Sequence, residues 1–240
     1  MSLLAPGTAP SDPQDQNPWS AAQILTHLEA VYAAAKTYED TGVTQITVTL
    51  RDGQQRPTFE AATFKTAYRA ADRFRFDASS YSPYTNSYSR WIIFRDGTRV
   101  RQWHDPERVV EREPSLTAAL GKAWGLSGGE PYLIASLLMP GDVRGLRLSA
   151  ELSQASRIDD APCGQSQCFR VQTFSSNKVG SHEDSATFTL WIDSKTFVIR
   201  RMDNYQKPGG KVITNVMTTY EPVLDKPISE EHLDFNVPPG

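Results

Sequence analysis

Between Ser115 and Met139 the chain reads SLTAALGKAWGLSGGEPYLIASLLM, the only long helical signal in its interior, with strand-like segments on both sides. Leu116, Leu120, Ala123 and Trp124 recur at helical spacing. After the break Gly125-Leu126-Ser127-Gly128-Gly129 a second set follows at Leu133, Ile134, Leu137 and Leu138. Ser115 is placed to cap the first piece, Pro131 falls where a first-turn proline is tolerated, and Pro140-Gly141 ends the second piece. Two short apolar helices flanked by sheet need a concave apolar surface to lie on. They read either as a cover over one face of a curved antiparallel sheet or as ordinary core helices of an α+β domain.

The rest of the chain supplies the sheet. An amphipathic helix from Trp19 to about Thr37 has the stripe Ile24, Leu28, Val31, Tyr32, Ala35 and a Ser20…Gln23 capping box. The period then changes to two. Val43–Leu50 alternates β-branched residues, Arg51–Gln54 is a turn, and Thr58–Ala70 continues as a strand. In Arg73–Asp77, Phe74 and Phe76 share one face. Ser79–Ser89 is rich in Ser and Tyr and reads as a long loop. Arg90–Arg95 and Thr98–Trp103 form a hairpin about Asp96-Gly97. Beyond the helical stretch, Leu146–Ile158, Cys168–Ser175, Ala186–Asp193, Phe197–Asn204 and Lys211–Tyr220 read as strands. The expected fold is therefore α+β. It has a single highly curved antiparallel sheet of about ten strands, an unclosed half-barrel, with the N-terminal helix and a helical lid over its concave face. Residues 18–240 form one domain. Residues 1–17, rich in Pro, Ser, Ala, Asp and Gln, read as a disordered tether or a trimmed end, without the pattern of a signal peptide.

Composition narrows the function classes. A net charge of -3 on 240 residues leaves no footprint for nucleic acid, and no apolar run is long enough for a transmembrane segment. Cys163 and Cys168 in PCGQSQCF suit a disulfide clipping a turn, which points to an oxidising compartment; a zinc half-site or a redox pair are the rivals. His27, His104, His182 and His232 are scattered without ligand spacing, and no GxSxG, HExxH, P-loop or dinucleotide fingerprint occurs. His104-Asp105, His182-Glu183-Asp184 and Glu230-Glu231 read as solvated turn residues. Neither an enzyme, a metal nor a cofactor is expected. What stands out is a supply of large apolar side chains, Trp91, Phe94, Trp103, Trp124, Phe169, Phe174, Phe188, Trp191 and Phe197 among them. They either fill a closed core or line a cavity sized for acyl chains.

Several pieces together resemble the outer-membrane lipoprotein carrier superfamily (LolA-like and LolB-like). They are the opening helix ILTHLEAVYAAAKTYED running into a strand, RFRFD with the hairpin WIIFRDGTRVRQW, and the helical interlude. The late hairpin LWIDSKTFVIRRMDN, the strand KVITNVMTTYEPVL and the ending ISEEHLDFNVPPG complete the set. The resemblance spans Trp19 to Gly240 and implies an unclosed, curved barrel whose hollow, covered by helices, holds acyl chains or another hydrophobic ligand. The resulting expectation is a non-enzymatic, extracytoplasmic binding or carrier protein, periplasmic or secreted. Its partner is a lipid, an acylated lipoprotein segment or a similar amphiphile. The cavity lining is Phe74, Phe76, Trp91, Ile93, Trp124, Leu133, Leu137, Leu138 and Trp191, with Gly125, Gly128, Gly129 and Gly141 as hinges of the lid. The alternative is a cell-envelope sensor or protein-interaction module on the same fold with a filled core, making contact through Tyr81, Tyr84 and Tyr88.

Overall fold

Ser20 opens the first helix, α1 (Ala21–Ala34), through a capping box: its hydroxyl accepts the Gln23 N–H and the Gln23 side chain accepts the Ser20 N–H. The structure, a computed structural model, describes residues 19–50, 52–82, 85–105, 107–127, 130–143, 152, 154–179, 182–207 and 213–238. For 124–127, 130–131, 176–179 and 182–184 it describes the backbone alone. The expected tether 1–17, Tyr84, Gly128, Gly129 and the strand start at Leu146 lie outside the described residues.

From α1 the chain turns extended at Ala35 and runs straight into β1 (Thr37–Thr49), ahead of the alternation at Val43. The early residues Tyr38 and Asp40 are buried while Glu39 and Thr41 are not, so the period of two already holds there. β2 (Phe59–Arg69), β3 (Arg73–Ser82), β4 (Ser87–Asp96), β5 (Arg99–His104) and β6 (Val109–Glu113) follow as antiparallel neighbours. The later strands are β7 (Ser156–Cys163), β8 (Ser166–Val179), β9 (His182–Asp193), β10 (Ile199–Lys207) and β11 (Ile213–Tyr220), with the short β12 (Val223–Leu224) on the start of β1. All twelve belong to one sheet, ordered β6-β5-β4-β3-β2-β1-β11-β10-β9-β8-β7. The fold is the unclosed α+β half-barrel expected from the sequence.

Several details differ from expectation. Among the described residues strands number twelve rather than about ten, because the short, charge-bearing Val109–Glu113 and the two-residue Val223–Leu224 carry little strand signal. Most of the Ser/Tyr stretch is not loop but hairpin, with Tyr81 opposite Tyr88 and Ser80 opposite Ser89. The β4–β5 turn sits one residue later than read: Asp96 pairs with Arg99, leaving Gly97-Thr98 as the two-residue turn, with Gly97 at φ 61°. Glu230-Glu231 is no free turn but opens a short helix, α4 (Glu230–Leu233), capped by Ser229.

The lid consists of α2 (Leu116–Ser127), whose Ala118 N–H is capped by the Ser115 hydroxyl, and α3 (Glu130–Leu138). In the chain it follows β6 and precedes β7, the two edges of the sheet. Thus the helices stand in the sequence where closure of a barrel would need a strand contact.

Register assigns the two faces. Tyr38, Tyr68, Phe74 and Arg95 lie across one row, and Phe76 and Ile93 pair in the next. These inner positions, except Arg95, form one core cluster with α1 (Ile24, Leu25, Leu28, Tyr32), the lid (Leu120, Ile134, Leu138) and the later strands (Phe169, Leu190, Ile192). On the outer face a smaller apolar set, Ile92, Phe94 and Trp103, is buried. The C-terminal segment covers it: Phe235 lies 5.5 Å from the Phe94 ring and Arg101 stacks on both. Glu230 pairs with Arg69 and Arg73, and Asp234 with Arg73, which fixes α4 on β2 and β3.

Cys163 and Cys168 form the disulfide, Cα–Cα 5.8 Å, across the β7–β8 hairpin. Because so small a ring restricts the unfolded chain only slightly, the double Cys→Ser variant is expected to lose no more than about 2 kcal/mol. Urea unfolding under non-reducing conditions measures this; a loss of twice that size would mean the bridge holds more than its own hairpin.

Candidate functional site

The inner face gathers most of the residues expected to line a cavity. Phe74, Phe76, Ile93, Leu133, Leu137 and Leu138 all belong to the core cluster, none more than 4% exposed, and Trp91 packs half-buried against it. Sheet and lid therefore meet through these side chains directly. The Trp124 side chain lies outside the described residues. Trp191 is a correction. Its neighbours Leu190 and Ile192 point into the core, so the period of two sends it to the outer face, where it lies between the Arg170 and Arg201 guanidiniums at 5.1 and 4.7 Å and donates to Asp203. Size alone had nominated it; register removes it.

Polar contacts hold the lid at its two ends. Lys122 of α2 reaches Glu111 and Glu113 of β6 at 3.0 and 2.7 Å. Past α3, Asp142 accepts from Arg95 of β4 at 2.7 Å and from the Thr117 hydroxyl through its carbonyl. Lys122 is half exposed, so its pairing with water-accessible Glu111 adds little to stability and can exchange with solvent. Beside Lys122 there is an opening of about 170 Å³ between α2 and β4–β6, lined by Trp91, Gln102, His104, Glu107, Val109 and Glu111. Except for Glu107, which follows β5, these strand residues are in inner-face register, so the opening gives onto the covered face. His104 is no solvated turn residue: it stacks on Trp91 at 4.0 Å and pairs with Glu107.

Deeper under the sheet's centre lies a buried carboxyl. Asp40 accepts from the Tyr38 hydroxyl at 2.6 Å and from the Thr66 N–H at 3.1 Å. Burial pushes its pKa up to about 6, and those two hydrogen bonds offset only part of the rise. Tyr32 of α1 stands beside Tyr38 and accepts the Ile199 N–H, tying helix, β1 and β10 together.

The larger concavities lie on the other side of the sheet. Two adjoining grooves of about 370 and about 440 Å³ share Thr41, Lys65, Asp77 and Arg90, and all four are in outer-face register. Asp77 accepts both a bidentate pair from Arg90, 2.8 Å each, and one bond from Arg75 at 2.7 Å. Lys65 stands directly across from Asp77 in register yet makes no ion pair among the described residues, since the arginines occupy both carboxylate oxygens. The sequence assigned none of these residues to a site. RFRFD showed that Arg73, Arg75 and Asp77 share a face, but only the pairing with β2 and β4 adds Lys65 and Arg90.

The other histidines with described side chains have partners. His232 pairs with Glu39, and His27 meets the Trp19 ring edge-on at 4.4 Å; the His182 side chain lies outside the described residues. Among the described residues there is no group of three or more His, Cys, Asp or Glu placed to hold a metal ion, and no helix is long and apolar enough to cross a membrane.

No family model matches the chain, and no curated protein matches it either. Among solved structures, LprF from Mycobacterium bovis aligns over 87% of this chain and 94% of its own with 13% identity and a TM-score of 0.46. The MucA/MucB complex of Pseudomonas aeruginosa aligns over 88% of this chain and 60% of the other with 11% identity and a TM-score of 0.42. A DUF1329 family protein from Desulfovibrio piger covers 90% of this chain and 96% of its own, with 11% identity and a TM-score of 0.32.

Proposed function

We propose that the protein is a non-enzymatic, extracytoplasmic binding or carrier protein that takes up a lipid, an acylated lipoprotein segment or a similar amphiphile between the concave sheet and the lid. The observation that supports this reading is the apolar contact between the concave sheet face and a separate two-helix element, with an opening lined by Trp91 and polar side chains beside Lys122 at its edge. The lid contributes its apolar side chains, Leu133, Leu137 and Leu138 among them, to the same cluster as Phe74, Phe76 and Ile93, so an acyl chain would replace like with like as the lid lifts. Each methylene buried in this way contributes about 0.8 kcal/mol, enough for a chain of ordinary length to bind without polar machinery. Gly125, in the last turn of α2, and Gly141, in the turn after α3, serve as hinges in this reading. The Cys163–Cys168 bridge supports an oxidising compartment.

A second reading, an envelope sensor or interaction module with a filled core, is favoured by the tight burial of the expected lining residues. Native mass spectrometry with organic extraction, followed by titration with a fluorescent fatty acid, separates the two. Near one-to-one acyl occupancy, weakened by Trp91→Ala at the opening, is the expected result. A clean apo mass with no uptake would leave the interaction module in first place.

A further inference from the structure

From the outer-face groove we infer a second binding site, for a neutral saccharide. Its floor is a row of small side chains set by strand register: Thr219, Val43, Thr63 and Ser79 lie side by side on β11, β1, β2 and β3, with Thr41 next to them on β1. Their neighbours are long. Lys65 and the Asp77–Arg90 pair rise along one flank and Glu221, which accepts from the Thr41 hydroxyl at 3.2 Å, along the other. One end is stopped by His232 and Asn236 of the C-terminal segment. Toward the other, two residues beyond Ser79 on the same face, the Tyr81 ring packs at a tilt against Tyr88 with centroids 5.2 Å apart, and Tyr88 is 68% exposed.

The chemistry of this groove separates ligand classes. Glu39, Asp77, Glu221 and Glu231 line it against Lys65, Arg75 and Arg90, so it holds no surplus of positive charge for a polyanion. Its hydroxyls and charged flanks suit a polar ligand better than an acyl chain. It offers instead hydroxyls that both donate and accept, with Thr63 and Ser79 unpartnered among the described residues, beside fixed planar groups and an ammonium that can only donate. Arg90 and Arg75 are held rigidly by Asp77, so their remaining N–H groups are preorganised. Adjacent sugar hydroxyls match such alternating donors and acceptors, and the C–H face of a sugar ring suits an exposed tyrosine ring. The volume is that of a small-ligand site, about 300–1,000 Å³.

The site lies on the face away from the lid and is independent of amphiphile uptake. Its test is a glycan array spanning neutral and acidic oligosaccharides, followed by saturation-transfer NMR on hits, with inorganic phosphate as the anion comparator. Expected is binding of at least one neutral oligosaccharide with a Kd of about 1 mM or tighter. Thr63→Trp, which fills the floor from an exposed position, should weaken it by at least about tenfold. Tyr88→Ala should weaken it by a smaller factor, and Trp191→Ala, on the same face of the other half, should leave it unchanged. Circular dichroism checks that each variant folds. Absence of any neutral glycan from the hits, equal binding by Thr63→Trp, or displacement by phosphate alone would each overturn the assignment.

Discussion

Asp40→Asn is expected to raise stability at pH 7.5 by roughly 2–3 kcal/mol and to flatten its dependence on pH between about 4 and 6. In the unfolded chain the Asp40 carboxyl titrates near the ordinary value of about 3.9; in the fold, burial lifts it to about 6. Between those values the folded state holds a proton that the unfolded state has released. Stability therefore falls as pH rises through the window, is highest below it, and stays reduced above it. Asparagine carries no charge to bury, and its carbonyl can still accept the Thr66 N–H. Urea midpoints of both proteins from pH 4 to 8 measure the effect. The curves should lie close together near pH 4, separate as pH rises to about 6 and run parallel above that; curves parallel over the whole range would mean Asp40 is not the group responsible. The carboxyl lies beside the Tyr32–Tyr38 pair joining α1 to β1.

Gly42→Val is expected to cost about 3 kcal/mol, at the upper end for overpacking a core. The Phe64 ring lies across β1 at this point, and a Cβ on Gly42 would come 2.0 Å from its Cζ. The ring has nowhere to go, being stacked on Phe76 at 5.8 Å and edge-on to Tyr220 at 5.6 Å. Shortening Phe64 to leucine should relieve part of the strain, so the double variant Gly42→Val/Phe64→Leu should be more stable than the sum of the single losses allows. Strict additivity in the denaturation midpoints would show that the clash is not the cause.

That pairing illustrates what the sequence could and could not convey. Nothing local marks Gly42 beyond its lying shortly after the first helix; its real constraint, an aromatic ring from β2, depends on a cross-strand partner that no local window contains. Helix positions were legible because capping and period are local, as at Ser20 and Ser115. The lid's underside followed from the same periodicity, and Phe74, Phe76 and Ile93 from alternation. Trp191 failed because an aromatic flanked by Leu190 and Ile192 looks like core until the parity of the strand is counted. The outer groove failed for a further reason. Its floor is drawn from β11, β1, β2 and β3, and the adjacency of β1 to β11 joins residues as distant as Val43 and Thr219.

An unclosed sheet has two ends, and each could recruit the end of another molecule to grow a fibre. Here both ends carry charged or irregular positions that oppose such pairing, although Val109 and Val110 of β6 are exposed. β6 exposes Glu111 and Arg112 and is held from the lid side by Lys122. β7 contains Pro162, which lacks an N–H, carries Asp159 and Asp160, and bulges between Ile158 and Ala161. The irregular, charged strands at the two ends of the sheet thus oppose edge-to-edge pairing between half-barrels, so an unclosed sheet need not grow by adding copies of itself.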